Sequence, residues 1–510
     1  MTGTRALSVG VHYEPSGVDP QINAAELGLQ MTMGVFDTLV VMTPDGRFLP
    51  HLAESWEISP DERTYRFHLR KDVRFHDGTA FDAGAVKHTL DRARDPANKS
   101  QLAGSMLGPY RRAEVVDDYT LALYLEEPYA ALLESLSQGW LAPVSPAAAR
   151  RLGADFRLQP VGTGPFIFDE WKPGKHIRLR RNPDYGWPPP GVINHGPALL
   201  DEVAFVFLPG DADRVAALES GEVNAVFYVP PSEVARLRGE PAYTVETWPI
   251  RGAPVCMMMN MAKAPTNELV VRRAINHAID QAALVKQVFH GEFAAARGPL
   301  SQYTLGYDKG VEAMYPYDPA LARALLAEAG WVDRDGDGVR EKDGQRLSVV
   351  FYALPVNFYP EFGRFVSECL AQIGAAVEVR VVPAGEWMRA ADAGEHHLVP
   401  QGKYASSPHI LSYIYHSRAS NARYGWTKRP ASCCPELDRL LEQGERALAV
   451  EEYVPLYERV QRLIMEQALI VPLHCNTNIV AVARGITGLA FDAIGAYPLL
   501  HDVRIDGVAA

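Results

Sequence analysis

The chain has 510 residues, 47% of them hydrophobic, and a formal net charge of -12. It is too long for one core of ordinary size and too apolar to be disordered, so two or three packed lobes are expected. The acidic balance argues against an electrostatic footprint for nucleic acid or an anionic membrane, which needs clustered Lys and Arg, and it fits a small neutral, cationic or zwitterionic partner better.

In chain order, ALSVGV alternates like a strand, and VDPQINAAELGLQMTMGVFDTLVVM reads as a turn, a helix-like stretch and a strand edge. Next comes a hairpin between Trp56 and Phe75, in which TYRFHLR alternates and SPDE supplies the turn. FDAGAVKHTLDRARD has apolar residues at helical spacing behind Asp82 as N-cap. HIRLRRN and DEVAFVFL are strands, and DADRVAALESGEV is a helix ended by Gly221. Further on, YDPALARALLAEAGW is a helix with Asp318 as N-cap, Pro319 in the first turn and Gly330 past its end. ELDRLLEQGERAL and YVPLYERVQRLIMEQ are amphipathic helices whose Leu and Val stripes are core faces. Strands interleaved with helices make this an α/β chain; without a repeat or a low-complexity linker, its lobes are expected to be joined by crossing strands.

Signals of targeting and of chemistry are sparse. No apolar run nears the roughly 18 to 20 residues that span a bilayer, and MTGTRALSVGVHYEP lacks the apolar core and cleavage site of a signal peptide. Cys256, Cys369, Cys433, Cys434 and Cys475 show no CxxC spacing and are expected to be mostly buried thiols. There is no GxSxG, HExxH, GxxxxGK[ST] or GxGxxG after a strand; His396 and His397 are adjacent and cannot both face one metal on a regular element. WVDRDGDGVREKDG is the strongest chemical pattern. Asp333, Asp335 and Asp337 alternate ahead of Gly338 as in a calcium loop, although the twelfth position is Gly344, leaving Glu341 and Asp343 as substitutes. Such residues equally favour a metal-free turn, so any calcium here is expected to be structural and no cofactor is required.

Several stretches together resemble the family-5 extracellular solute-binding proteins of ABC importers. They are LAESWEISPDERTYRFHLRKDVRFHDGTAFDAGAVKHTLDR, QPVGTGPFIFDEWKPGKHIRLRRNPDYG, LDEVAFVFLPGDADRVAALESGEVNAV and VVRRAINHAIDQAALVKQVFHGEFAAA, followed by DPALARALLAEAGW and RVQRLIMEQALIVPLH. The resemblance implies a periplasmic-binding-protein type II fold: two α/β lobes, a domain inserted in the first, and ligand in the interlobe cleft. It places the split lobe at 1–35, 159–250 and 477–510, the insertion at 36–158 and the second lobe at 251–476, with crossings near Arg251 and Asn476. It also implies capture of a small solute, delivery to membrane permease subunits, a monomer, no nucleic acid, and an extracytoplasmic location with any signal segment removed. A secreted peptide or amide hydrolase is the alternative.

In peptide-binding members of that family, an Asp in the second lobe pairs with the peptide ammonium. The matching stretch here, LVPQGKYASSPHILSYIYHS, has Ser406 and Ser407 where the acid is expected. No Asp or Glu occurs between Glu395 and Glu436, whereas Lys403, Arg418, Arg423, Lys428 and Arg429 do. Burying an unpaired ammonium costs several kcal/mol, so a neutral or anionic solute is expected, such as an aromatic or amide-like compound, a sugar derivative, an opine or a metal chelate. Glu26 is the first alternative acid. Trp140, Trp387 and Tyr404 are candidate apolar walls, and Lys403, Ser406, Ser407, His409 and Asn476 candidate polar contacts. Cys256 and His474 are further candidates near the crossings.

Overall fold

The computed structural model describes residues 4–22, 26–100, 102–356, 358–420 and 426–506. The chain forms two compact units, Met1–Trp248 with Asn478–Ala510, and Pro249–Thr477, so it passes from one to the other twice. Among the described residues, no helix is long and apolar enough to cross a membrane.

The first unit is built on a seven-stranded sheet. Its central strand, Ala6–Val11, is parallel to Glu202–Phe207 on one side and to Ala225–Phe227 on the other. Leu7, Val9 and Val11 are buried, as a strand covered on both faces requires, and they join Phe166, Phe205 and Phe227 in one core. EVAFVF keeps the alternation of a strand with one face in that core. A separate four-stranded antiparallel sheet contains the expected hairpin, with Trp56 opposite Phe67. Helix Ala83–Arg94 packs behind it, and the Asp82 carboxylate accepts the Ala85 N–H at 2.8 Å.

Close backbone approach explains the glycines of QPVGTGPF. A Cβ at Gly162 would lie 2.2 Å from the Val35 carbonyl oxygen, and one at Gly164 2.5 Å from that of Gly34. Below them Asp37 is buried and accepts from Thr163 Oγ1 at 2.9 Å, Tyr185 OH at 3.0 Å and Trp187 Nε1 at 3.0 Å.

The second unit holds a six-stranded sheet. Ser348–Ala353 runs parallel to Ala376–Val381 and to Leu398–Tyr404, and the last pairs antiparallel with Gly252–Met259. The buried Arg272 guanidinium donates to the Thr266, Asn267 and Gln467 carbonyls, the last of which follows helix Val450–Glu466. Helix Pro319–Glu328 has the expected ends: Asp318 accepts the Leu321 N–H at 2.8 Å, and Gly330 is left-handed at φ 87°. All five cysteines are unpaired; four are buried and Cys433 is half-buried.

Candidate functional site

In open sheets with parallel strands, ligands bind beyond the carboxyl ends of strands where the connections diverge to either side. In the first unit that point is the end of Ala6–Val11, whose two parallel neighbours lie on opposite sides. His12 follows this strand and Tyr228 follows Ala225–Phe227; their rings meet edge to face at 4.7 Å. Tyr228 has φ 57°, a left-handed conformation rare for an aromatic residue. The buried Arg214 guanidinium ties the strand ends together, donating to the carbonyls of Leu208 at 3.0 Å, Pro209 at 3.1 Å and Tyr228 at 3.3 Å. Burial, reinforced by Arg214, lowers the His12 pKa to about 4, so its ring is neutral at pH 7.

Gln30 connects this group to a second one. Its amide donates to the Tyr228 hydroxyl at 3.4 Å and to the Ala496 carbonyl at 2.7 Å. Ala496 lies in a loop organised by Asp492, whose carboxylate accepts the N–H groups of Gly495, Ala496 and Tyr497. The Tyr497 ring stands edge to face on Trp140 at 5.9 Å, and the buried Trp140 indole N–H has no acceptor among the described residues. Trp140 is therefore part of a polar and aromatic set at the strand ends. Glu26 opens helix Glu26–Thr32, but its side chain lies outside the described residues.

In the second unit, the strand Leu398–Tyr404 brings four candidates to one end. Lys403 and Tyr404 are half-buried, and Ser406 and Ser407 follow in buried positions. Gly252 permits this, since a Cβ there would lie 2.3 Å from the Lys403 carbonyl oxygen and its φ is 110°. The His409 backbone N–H donates to Ser407 Oγ at 3.3 Å. His409 Nδ1 is 3.0 Å from the Tyr457 hydroxyl, which also meets Ser412 Oγ at 3.0 Å, and the His409 ring packs on Tyr453 at 4.8 Å. Burial lowers the His409 pKa to about 4, so at pH 7 it offers hydrogen bonds and no charge. Asn476 is half-buried beside the second crossing, and its carbonyl accepts the Ile250 N–H at 2.9 Å.

Three other candidates lie within apolar packing of this unit. Cys256 is fully buried, its thiol 3.9 Å from the Gly298 carbonyl, and burial pushes its pKa well up. His474 is enclosed by Phe289, Phe293 and Phe362 at 4.4 to 5.5 Å, and burial lowers its pKa to about 3. Trp387 packs on Trp426 at 4.4 Å. The cations of the acid-free stretch are partly consumed: Arg418 pairs with Glu445 at 2.6 Å, and the buried Arg429 with Asp438. Arg423 lies outside the described residues.

The Asp333, Asp335 and Asp337 carboxylates are exposed and lie within 4.8 Å of one another, a group that does not include Glu341. Asp333 accepts from Gly336 N and Gly338 N, and Asp337 from Val339 N while pairing with Arg346 at 2.6 Å. Glu341 instead pairs its backbone with Val332 in the bridge that closes the loop.

Sequence reasoning missed His12, Gln30, Arg214, Tyr228 and Tyr497. One signal was available: His12 directly follows a buried strand, at the end where such sheets bind ligands.

Residues 47–425 match the model of the bacterial extracellular solute-binding proteins, family 5. The glutathione-binding protein GsiB of Escherichia coli O1:K1 is 28% identical over 459 residues, covering 86% of this chain and 82% of GsiB. The crystal structure of NikA from Brucella suis in complex with Fe(III)-EDTA has a TM-score of 0.87 at 25% identity, covering 98% of this chain and 100% of that one. AgaA from Agrobacterium tumefaciens R10, solved with agropinic acid, has a TM-score of 0.79 at 26% identity, covering 98% of this chain and 99% of its own. A match across most of the chain, with strand ends arranged for binding, identifies a transport protein and not a hydrolase: the chain belongs to the family 5 extracellular solute-binding proteins, substrate-binding components of ABC importers.

Proposed function

We propose that this chain captures a neutral or anionic small solute, one that needs no free ammonium group, and delivers it outside the cytoplasm to the permease as a monomer. The observation that carries this is the acid-free stretch of sequence that contains Leu398–Tyr404. No Asp or Glu occurs between Glu395 and Glu436, and the nearby Asp438 and Glu445 are committed to Arg429 and Arg418. An ammonium bound at that stretch would lose its water without gaining a carboxylate from it. Of the solutes named for three relatives, Fe(III)-EDTA and agropinic acid carry no free ammonium, whereas glutathione carries one. Lys403, Tyr404, Ser406, Ser407 and His409, at and just beyond the end of this strand, are the residues we assign to contact. Native mass spectrometry of the protein as purified tests this, since a tightly held solute survives isolation. A retained solute without a primary ammonium is expected; a retained free-amino peptide would contradict it.

The Asp333 loop is proposed as a structural calcium site, with three clustered carboxylates in its support and Glu341 as the flanking acid. Chelation by EGTA is then expected to lower the melting temperature by a few degrees and calcium to restore it. An unchanged melting curve would sink this assignment.

A further inference from the structure

A groove of about 750 Å³ lies at the edge of the first unit's large sheet, along strand Phe166–Lys172, and shares no lining residue with the strand-end set. Leu152, Val161, Phe168 and Trp171 give it apolar walls, and Arg151 and Arg157 reach it from the segment after Ser145. The Trp171 ring is fixed in place: its Nε1–H donates to Glu14 Oε1 at 3.0 Å, and the same carboxylate accepts the Gly174 N–H. The strand is irregular between Phe168 and Glu170, where Asp169 interrupts the register, a feature that often re-aims side chains beside binding sites.

The charges around the groove are not balanced in the same way. Both acids of its lining bond to the neighbouring strand His176–Arg181, where they share the one Arg178 guanidinium. Asp169 pairs with Arg178 at 2.6 Å, and Glu170 pairs with His176 at 2.9 Å and with Arg178 at 3.2 Å. The arginines have no such partner. Among the described residues neither Arg151 nor Arg157 pairs with a carboxylate, and the Arg157 guanidinium donates to the Ser16 carbonyl at 3.0 Å. A guanidinium fork binds carboxylates in a planar, two-point fashion, and fixed apolar walls remove an attached ring from water.

We propose that this groove is a second binding site, taking a small organic anion with an aromatic or branched apolar body. It is independent of the solute-binding reading above, since its residues belong to one unit and to none of the strand-end groups.

The test uses the full chain labelled with 5-fluorotryptophan, the Trp171 fluorine resonance being identified by its loss in Trp171→Phe. Titration with naphthalene-2-carboxylate is expected to shift that resonance saturably, and uncharged 2-naphthamide to leave it in place. Arg151→Ala, which removes a side chain with no bond among the described residues, and Arg151→Ala/Arg157→Ala are expected to weaken binding, the double variant about tenfold or more. An unmoved Trp171 resonance would overturn the proposal. So would equal binding of the amide, unchanged affinity in the double variant, or a response only to an acidic peptide.

Discussion

Asp37 gathers three hydrogen bonds from residues 126 to 150 positions away in the chain, and no local pattern could have announced them. Asp82 and Asp318 are the contrast: each accepts from an N–H three residues on, so spacing alone marked them as caps. Arg214 and Gln30 were hidden for the same reason as Asp37, because what they join, the strand ends and the Asp492 loop, meets only in the folded chain. Replacing Asp37 by Ala leaves the buried Thr163 hydroxyl without its acceptor and leaves Trp187 Nε1 and Tyr185 OH only longer bonds, to the Thr163 carbonyl at 3.2 Å and the Trp187 carbonyl at 3.5 Å. A loss of about 3 kcal/mol or more in unfolding free energy is expected from urea titration, and a loss under about 1 kcal/mol would show that water or repacking replaces the carboxylate.

Among the elements, Leu398–Tyr404 has the clearest functional bearing, because it carries Lys403 and Tyr404 to its carboxyl end and positions the serines that follow. Its sequence, LVPQGKY, has the weak alternation of a strand, and only the match to a family segment drew attention to it. Its register depends on Gly252 in the partner strand, where a side chain would meet the Lys403 carbonyl and a positive φ. Gly252→Ala is therefore expected to destabilise the protein by roughly 2 kcal/mol or more and to weaken solute binding, measured by calorimetry at a temperature where the variant remains folded. Unchanged stability and affinity would mean that the strand end does not have to keep this geometry. The Asp333 loop shows the limit of motif reading in the other direction, since its alternating acids also satisfy the turn's own N–H groups.

For the whole molecule, buried histidines set the response to acid. His12, His76, His396, His397 and His409 have pKa values lowered by burial to about 4, and His474 to about 3, against an ordinary value near 6.5. Between about pH 6.5 and 4 the unfolded chain takes up protons that the folded chain does not, so stability falls as pH falls through that window. The urea midpoint is expected to decrease steadily from pH 7 to pH 4.5; a flat or rising midpoint would contradict the burial of these rings. At the same scale, the proposal that the solute needs no free ammonium rests on the stretch 396–435, which holds no Asp or Glu. The most direct measurement of that claim is calorimetric titration with a dipeptide and its N-acetylated form. Binding of the acetylated form at equal or higher affinity is predicted, and a strong preference for the free ammonium would contradict it.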